Sequence, residues 1–193
     1  MIARIVKGLI LSSVATAGLS SFSNTSAAFV DGPPPAVTGG FKEDTCRMCH
    51  IDYALNDKAG ALALEGVPEK YAAGEQYTLN VRLSHPQLER GGFEIAARFA
   101  DGKRAGEQAG VLEAVDGRAA VIKGKDSAIQ YARQTRAGSA PEAKGSIQWS
   151  IRWRAPDDPA GPVVFHAAAN AANYDDSPLG DFPYALERTS KPQ

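Results

Sequence analysis

The most constraining feature of this chain is strict alternation of apolar and polar residues. Ile147, Trp149, Ile151 and Trp153 alternate with Gln148, Ser150 and Arg152, and the run stops at Ala155-Pro156. A period of two puts both indoles on one face of a strand and the polar residues on the other. Tyr77, Leu79, Val81 and Leu83 repeat the pattern against Thr78, Asn80 and Arg82. Phe93, Ile95, Ala97 and Phe99 repeat it against Glu94, Ala96 and Arg98, up to the turn Asp101-Gly102. The continuous apolar run from Gly161 to Ala169 suits a strand covered on both faces. Weaker strands are expected at Val111 to Val115 and Ala119 to Ile122. Gly and Pro punctuate at about ten-residue intervals, the spacing of sandwiches and barrels. The expected fold is all-β, an antiparallel β-sandwich, with Asp52 to Ala63 the one helix-friendly stretch.

Before the strands lies a different kind of sequence. Residues 1–28 read as a secretory signal: Arg4 and Lys7 precede the mildly apolar stretch Gly8 to Leu19, and Ser26-Ala27-Ala28 supplies small residues for cleavage before Phe29. Ser12, Ser13, Thr16 and Ser20 make the stretch too polar and short for a membrane span. The expected location is periplasmic or secreted, with no integral membrane segment after the signal is removed. Residues 29–66 form an irregular, Pro- and Gly-rich lead-in with Pro33-Pro34-Pro35 and Gly39-Gly40; 67–186 form the sandwich; 187–193 read as a short polar tail. The 193-residue chain has a formal charge of −1, which gives no basic surface for nucleic acid.

Rare residues carry the chemistry. The chain holds two Cys, three His and two Met. Cys46-Arg47-Met48-Cys49-His50 is C-x-x-C-H, the attachment signature of a c-type haem. Two thiols at this spacing can add to the two vinyl groups of one haem edge, and the adjacent His presents a ring nitrogen to the iron. This reading makes Cys46 and Cys49 the anchors of one covalent haem c and His50 the proximal iron ligand. The alternatives are a Cys46–Cys49 disulfide in an oxidising compartment, or a zinc site recruiting His50 with His85 or His166. A thioredoxin-like redox pair lacks its βαβ context.

After cleavage Met48 is the remaining methionine, and inside the motif it cannot reach the opposite face of the ring, so Met/His ligation is excluded. His85 and His166 are the candidates for the distal ligand, with an open or water-bound iron as the other outcome. His85 shares the parity of the apolar residues of its strand and faces inward just before Pro86; His166 shares the parity of Val164 and Ala168. Ser84-His85 point to opposite faces and form no nucleophile–base pair. Asp157-Asp158 and Asp175-Asp176 read as solvated loop charges. The functional expectation is an exported monohaem c-type protein in electron transfer or haem-based sensing, with a redox partner that the sequence does not name. The alternative is a non-catalytic extracytoplasmic binding or adhesion module.

Thr38-Gly39-Gly40-Phe41, Glu43 and Thr45 before the C-x-x-C-H resemble the opening of the bacterial reelin-type (Reeler-like, choice-of-anchor V) domains. Tyr71, Gly74 and Tyr77, then Gly92-Phe93, are similar to that family's next strands, and Trp149 to Pro156 with Gly161, Val163, Phe165, the Ala167-to-Asn173 stretch and Gly180-Asp181 resembles its closing signature. The resemblance spans about Pro33 to Tyr184. It implies a β-sandwich of surface or periplasmic proteins that carry C-x-x-C-H near the mature start, and it leaves their function poorly defined. Members often show a histidine before the Trp strand, where this chain has Tyr131-Ala132-Arg133-Gln134-Thr135. Gln134 therefore departs from that pattern.

Overall fold

The structure is a computed structural model and describes residues 29–193. The expected signal segment, 1–28, lies outside the described residues. Ten strands follow in chain order: β1 (Ala61–Glu65), β2 (Lys70–Tyr71), β3 (Gln76–Ser84), β4 (Arg90–Phe99), β5 (Val111–Ala114), β6 (Ala119–Lys123), β7 (Gln130–Gln134), β8 (Ser146–Arg154), β9 (Val163–Ala172) and β10 (Phe182–Pro192). They form a four-stranded sheet, β1-β3-β8-β5, and a six-stranded sheet, β2-β10-β9-β4-β7-β6. Every pairing is antiparallel except the short parallel contact of β2 with β10. The molecule is a β-sandwich.

The alternating residues fill the space between the sheets. Trp149, Trp153, Leu79, Leu83, Phe93, Phe99 and Phe165 are all fully buried. Trp149 stacks on Phe93 with centroids 4.4 Å apart, and Trp153 meets Phe165 edge-on at 4.8 Å. Each indole N–H finds a backbone carbonyl, Trp149 that of Gly138 at 2.8 Å and Trp153 that of Ala109 at 2.9 Å. The large aromatic payload is thereby buried without an orphan donor.

Three expectations change. Asp52 to Ala63 is not helical: residues 53–59 turn, and Ala61–Glu65 pairs with β3 as an edge strand. A short Ala-rich stretch gains too few helical bonds to offset nucleation, and Asn56 has φ +64°, outside the right-handed helical region. The irregular segment therefore ends near Gly60, not at residue 66. Residues 187–193 are no free tail either. β10 pairs with β9 through Ser190 and with β2 at Lys191 and Pro192, and Ser190 is fully buried. Its mixed polarity hid it, because one face of this strand is exposed. β7 carries no strand signal in the sequence, since Gln130, Arg133 and Gln134 break the apolar alternation.

The segment before Gly60 decides the functional surface. It lies as a strap across the outer face of the six-stranded sheet. There, β4 and β9 present Glu94, Arg98, His166 and Asn170 on the parity opposite to the core. The Val37 amide donates to the Glu94 carboxylate at 2.7 Å, and Glu43 pairs with Arg98 and accepts from the Tyr131 hydroxyl. Gly40 rests against the His166 ring so closely that a Cβ there would come within 2.5 Å. The strap explains why the Ala-rich β9 is buried on both faces.

Candidate functional site

Cys46–Met48 form one turn of 3-10 helix capped by the Thr45 hydroxyl, which accepts from the Arg47 amide. The His50 amide donates to the Cys46 carbonyl at 3.1 Å, so the five-residue motif closes on itself. Both cysteines are free thiols. Cys46, Cys49 and His50 line a cleft of about 530 Å³, within the span of small-molecule and cofactor pockets, roughly 300–1,000 Å³. Its walls include the apolar residues Val30, Pro33, Pro34 and Val37, with Arg90 and Arg136 also at the site.

His50 is held from behind. Its Nδ1 lies 2.7 Å from the carboxylate of Asp181, which is 1% exposed. The same carboxylate accepts from the Asn170 side-chain amide and from the Asn173 backbone amide, each at 3.1 Å. With the Nδ1 proton donated to Asp181, the Nε2 lone pair is the one left for a metal. This carboxylate–histidine arrangement fixes tautomer and ring orientation in metal proteins. Asp181 and Asn170 come from β10's approach and from β9, far from the motif in sequence. A lone Asp in a turn offers no local signal for such a role.

Burial, with the nearby Glu94 charge adding to it, pushes the Cys46 thiol up to about 12. Thiol–disulfide exchange runs on the thiolate, and its active cysteines have lowered values. The Cys46 shift runs the other way. Glu94 itself is pushed up to about 8 by desolvation, which the Val37 amide and the Arg133 charge only partly offset.

The two candidate distal histidines do not line this cleft. His85 is buried, stacks on Phe182 at 3.8 Å, and has Asp57 at 3.9 Å. Desolvation lowers its pKa, with Asp57 opposing. His166 sits under the strap against Phe41, with Glu187 at 3.4 Å; burial lowers its pKa as well, and Glu187 opposes. Neither is brought to His50 by the fold. Among the described residues no group of three His, Cys, Asp or Glu side chains is arranged to hold a metal ion. Gln134, by contrast, lines the cleft and is buried. Asp157 and Asp158 are exposed loop charges; Asp175 and Asp176 are exposed too, but they line the cleft.

No protein-family model and no curated protein matches the chain. Among solved structures it is similar to the reeler domain of human F-spondin, at 20% identity over 72% of this chain and 93% of that one, with a TM-score of 0.48. It is also similar to the Reelin-N domain of F-spondin, at 17% identity over 77% and 95%, TM-score 0.48. A cohesin module from a Clostridium perfringens family 33 glycoside hydrolase follows at 9% identity over 71% and 98%, TM-score 0.46. This likeness is one of architecture, and no residue role transfers with it. Among the described residues no helix is long and apolar enough to cross a membrane.

Proposed function

We propose that this protein is a non-catalytic extracytoplasmic binding module whose ligand occupies the cleft beside Cys46, Cys49 and His50. The finer reading is that the ligand is one haem joined to both thiols, with a role in electron transfer or haem-based sensing; the alternative is a binding or adhesion module in which Cys46 and Cys49 form a disulfide or hold a metal. The observation that carries the proposal is the His50–Asp181 pair at 2.7 Å on the wall of a largely apolar cleft that also holds both free thiols.

The residues fit the group. Cys46 and Cys49 would anchor one edge of the ring, and His50 would offer Nε2 to the iron while Asp181 fixes its orientation. Val30, Pro34 and Val37 would give an apolar wall against the ring. Arg90, whose guanidinium lies over the Tyr174 ring, would be a cationic partner for a carboxylate substituent. A haem bound there supplies a one-electron iron couple.

The test is expression of the full chain with a c-type maturation system. A Soret band and a mass increase of one haem are expected, and both should vanish in the Cys46→Ser/Cys49→Ser double variant. A colourless protein of apo mass would leave the binding module without its haem. Thiol titration would then show whether Cys46 and Cys49 are joined as a disulfide.

A further inference from the structure

Among the described residues the cleft is lined by no second histidine besides His50, and Tyr174 and Asp175, which also line it, are exposed loop residues. His85 and His166 do not line the cleft, and Met48 sits between the two cysteines. One nitrogen donor is absent from any inventory of side chains, because processing creates it. The small-residue motif Ser26-Ala27-Ala28 places cleavage before Phe29, and Phe29 lines the same cleft as Cys46, Cys49 and His50. Cleavage there converts a backbone amide, which cannot ligate a metal, into a primary amine whose neutral form carries a lone pair.

The segment that follows is pinned on several sides. The Phe29 carbonyl accepts from the Gln134 side-chain amide at 3.0 Å and from the Gly32 amide at 2.9 Å. Gln134 is 4% exposed, and its own carbonyl oxygen accepts from the Phe93 amide at 2.9 Å, so the group that grips Phe29 is itself fixed. Arg133 donates to the carbonyls of Gly32 and Pro33. Arg136 pairs with Asp31 through two hydrogen bonds, at 3.1 and 2.8 Å. A terminus with no role usually frays. Cleavage before Phe29 would leave a terminus whose first residues are tied to β7 and its continuation.

We propose that the α-amino group of Phe29, released by cleavage after Ala28, is the second axial ligand of the haem, and that Gln134 is the residue that positions it. The proposal rests on the haem reading above. It assigns the cleft a ligand pair of imidazole and primary amine, and it makes export a precondition for completing the site.

The test inserts Gly-Ser between Ala28 and Phe29 in the full chain, matured and exported as before. Intact mass and N-terminal sequencing establish the start of each product and its haem. The wild-type protein should begin at Phe29 and give a six-coordinate, low-spin ferric spectrum. The insertion should keep the covalent haem and the β-sheet circular dichroism but turn the ferric spectrum high-spin. It should also bind added imidazole at least about tenfold more tightly, because no internal ligand competes. Gln134→Ala should shift the spin equilibrium in the same direction, while His85→Ala and His166→Ala leave the low-spin spectrum in place. A haem-bearing insertion variant that stays low-spin overturns this proposal alone, as does a high-spin wild type or a low-spin signal lost in either histidine variant. A colourless wild type of apo mass overturns the haem reading and this proposal with it.

Discussion

The two faces of the six-stranded sheet are built on opposite principles. The inner face meets the second sheet through Phe93, Ile95, Phe165 and Ala169, a dry apolar surface with the indoles of Trp149 and Trp153 opposite. The outer face carries Glu94, Arg98, His166 and Asn170, all largely withdrawn from water by a strap with no regular strand. Burying an unpaired polar group costs free energy, so the outer face is held by individual bonds, through Val37, Glu43, Tyr131 and Asp181, while Glu94 Oε1, Arg98 Nε and Asn170 Oδ1 have no partner among the described residues. The inner face holds the fold together. The outer face holds a site.

If that division is right, substitutions on the two faces should fail in different ways. The largest loss belongs to Trp149→Ala, which removes a fully buried indole, its stack on Phe93 and its bond to Gly138. Unfolding in urea should show a loss of about 3–5 kcal/mol, and a loss below 1 would break the comparison. Glu94→Gln should act in the other direction. The folded protein holds the Glu94 proton to about pH 8, against an ordinary value of 4.5. Between those values the folded state binds more protons than the unfolded one, so wild-type stability falls as pH rises through the window. The variant keeps an acceptor for Val37, stays close to Arg133 and Cys46, and lacks that slope. It should exceed wild type by roughly 5 kcal/mol above pH 8 and by little below pH 5, as denaturation across pH will show.

Asp181→Asn tests the site and not the core. It weakens the electron donation that His50 receives through Nδ1, so the midpoint potential of the haem-loaded protein should rise. A tenfold differential effect corresponds to about 59 mV, read by redox titration. An unchanged potential would mean that Asp181 merely fills space. The smallest effect is expected from Asp31→Asn. Both partners of its Arg136 pair are more than two-thirds exposed, and such pairs contribute at most about 1 kcal/mol. Global stability should move by less than about 0.5 kcal/mol; a larger loss would mean that the strap contributes to the fold as the core does.

The inner face was legible because its information is local. Alternation in β3, β4 and β8 reports which side chains share a side, and the structure places them together. Strands whose alternation is interrupted by polar residues, β7 and most of β10, escaped notice. Their Arg133, Gln134 and Glu187 serve the strap or solvent, and Gln130 accepts from the Leu112 amide of β5. The parity of His166 was readable, but what covered that side was not. A histidine on the outward face of an otherwise buried strand has its environment set by the strap, and that contact is invisible to periodicity.

The sequence alone determined a sandwich of alternating strands, an irregular segment ahead of them, and two thiols with a histidine at haem-attachment spacing. These follow from neighbours within a few residues, where chain geometry dictates which groups share a face or a turn. Tertiary structure decided the rest: that β10 continues past Tyr184, that Asp181 and Asn170 stand behind His50, and that Phe29 and Gln134 close on the same cleft. Each of those joins residues far apart in the chain, and such contacts form only when the sheet stacks strands whose order in space differs from their order in sequence.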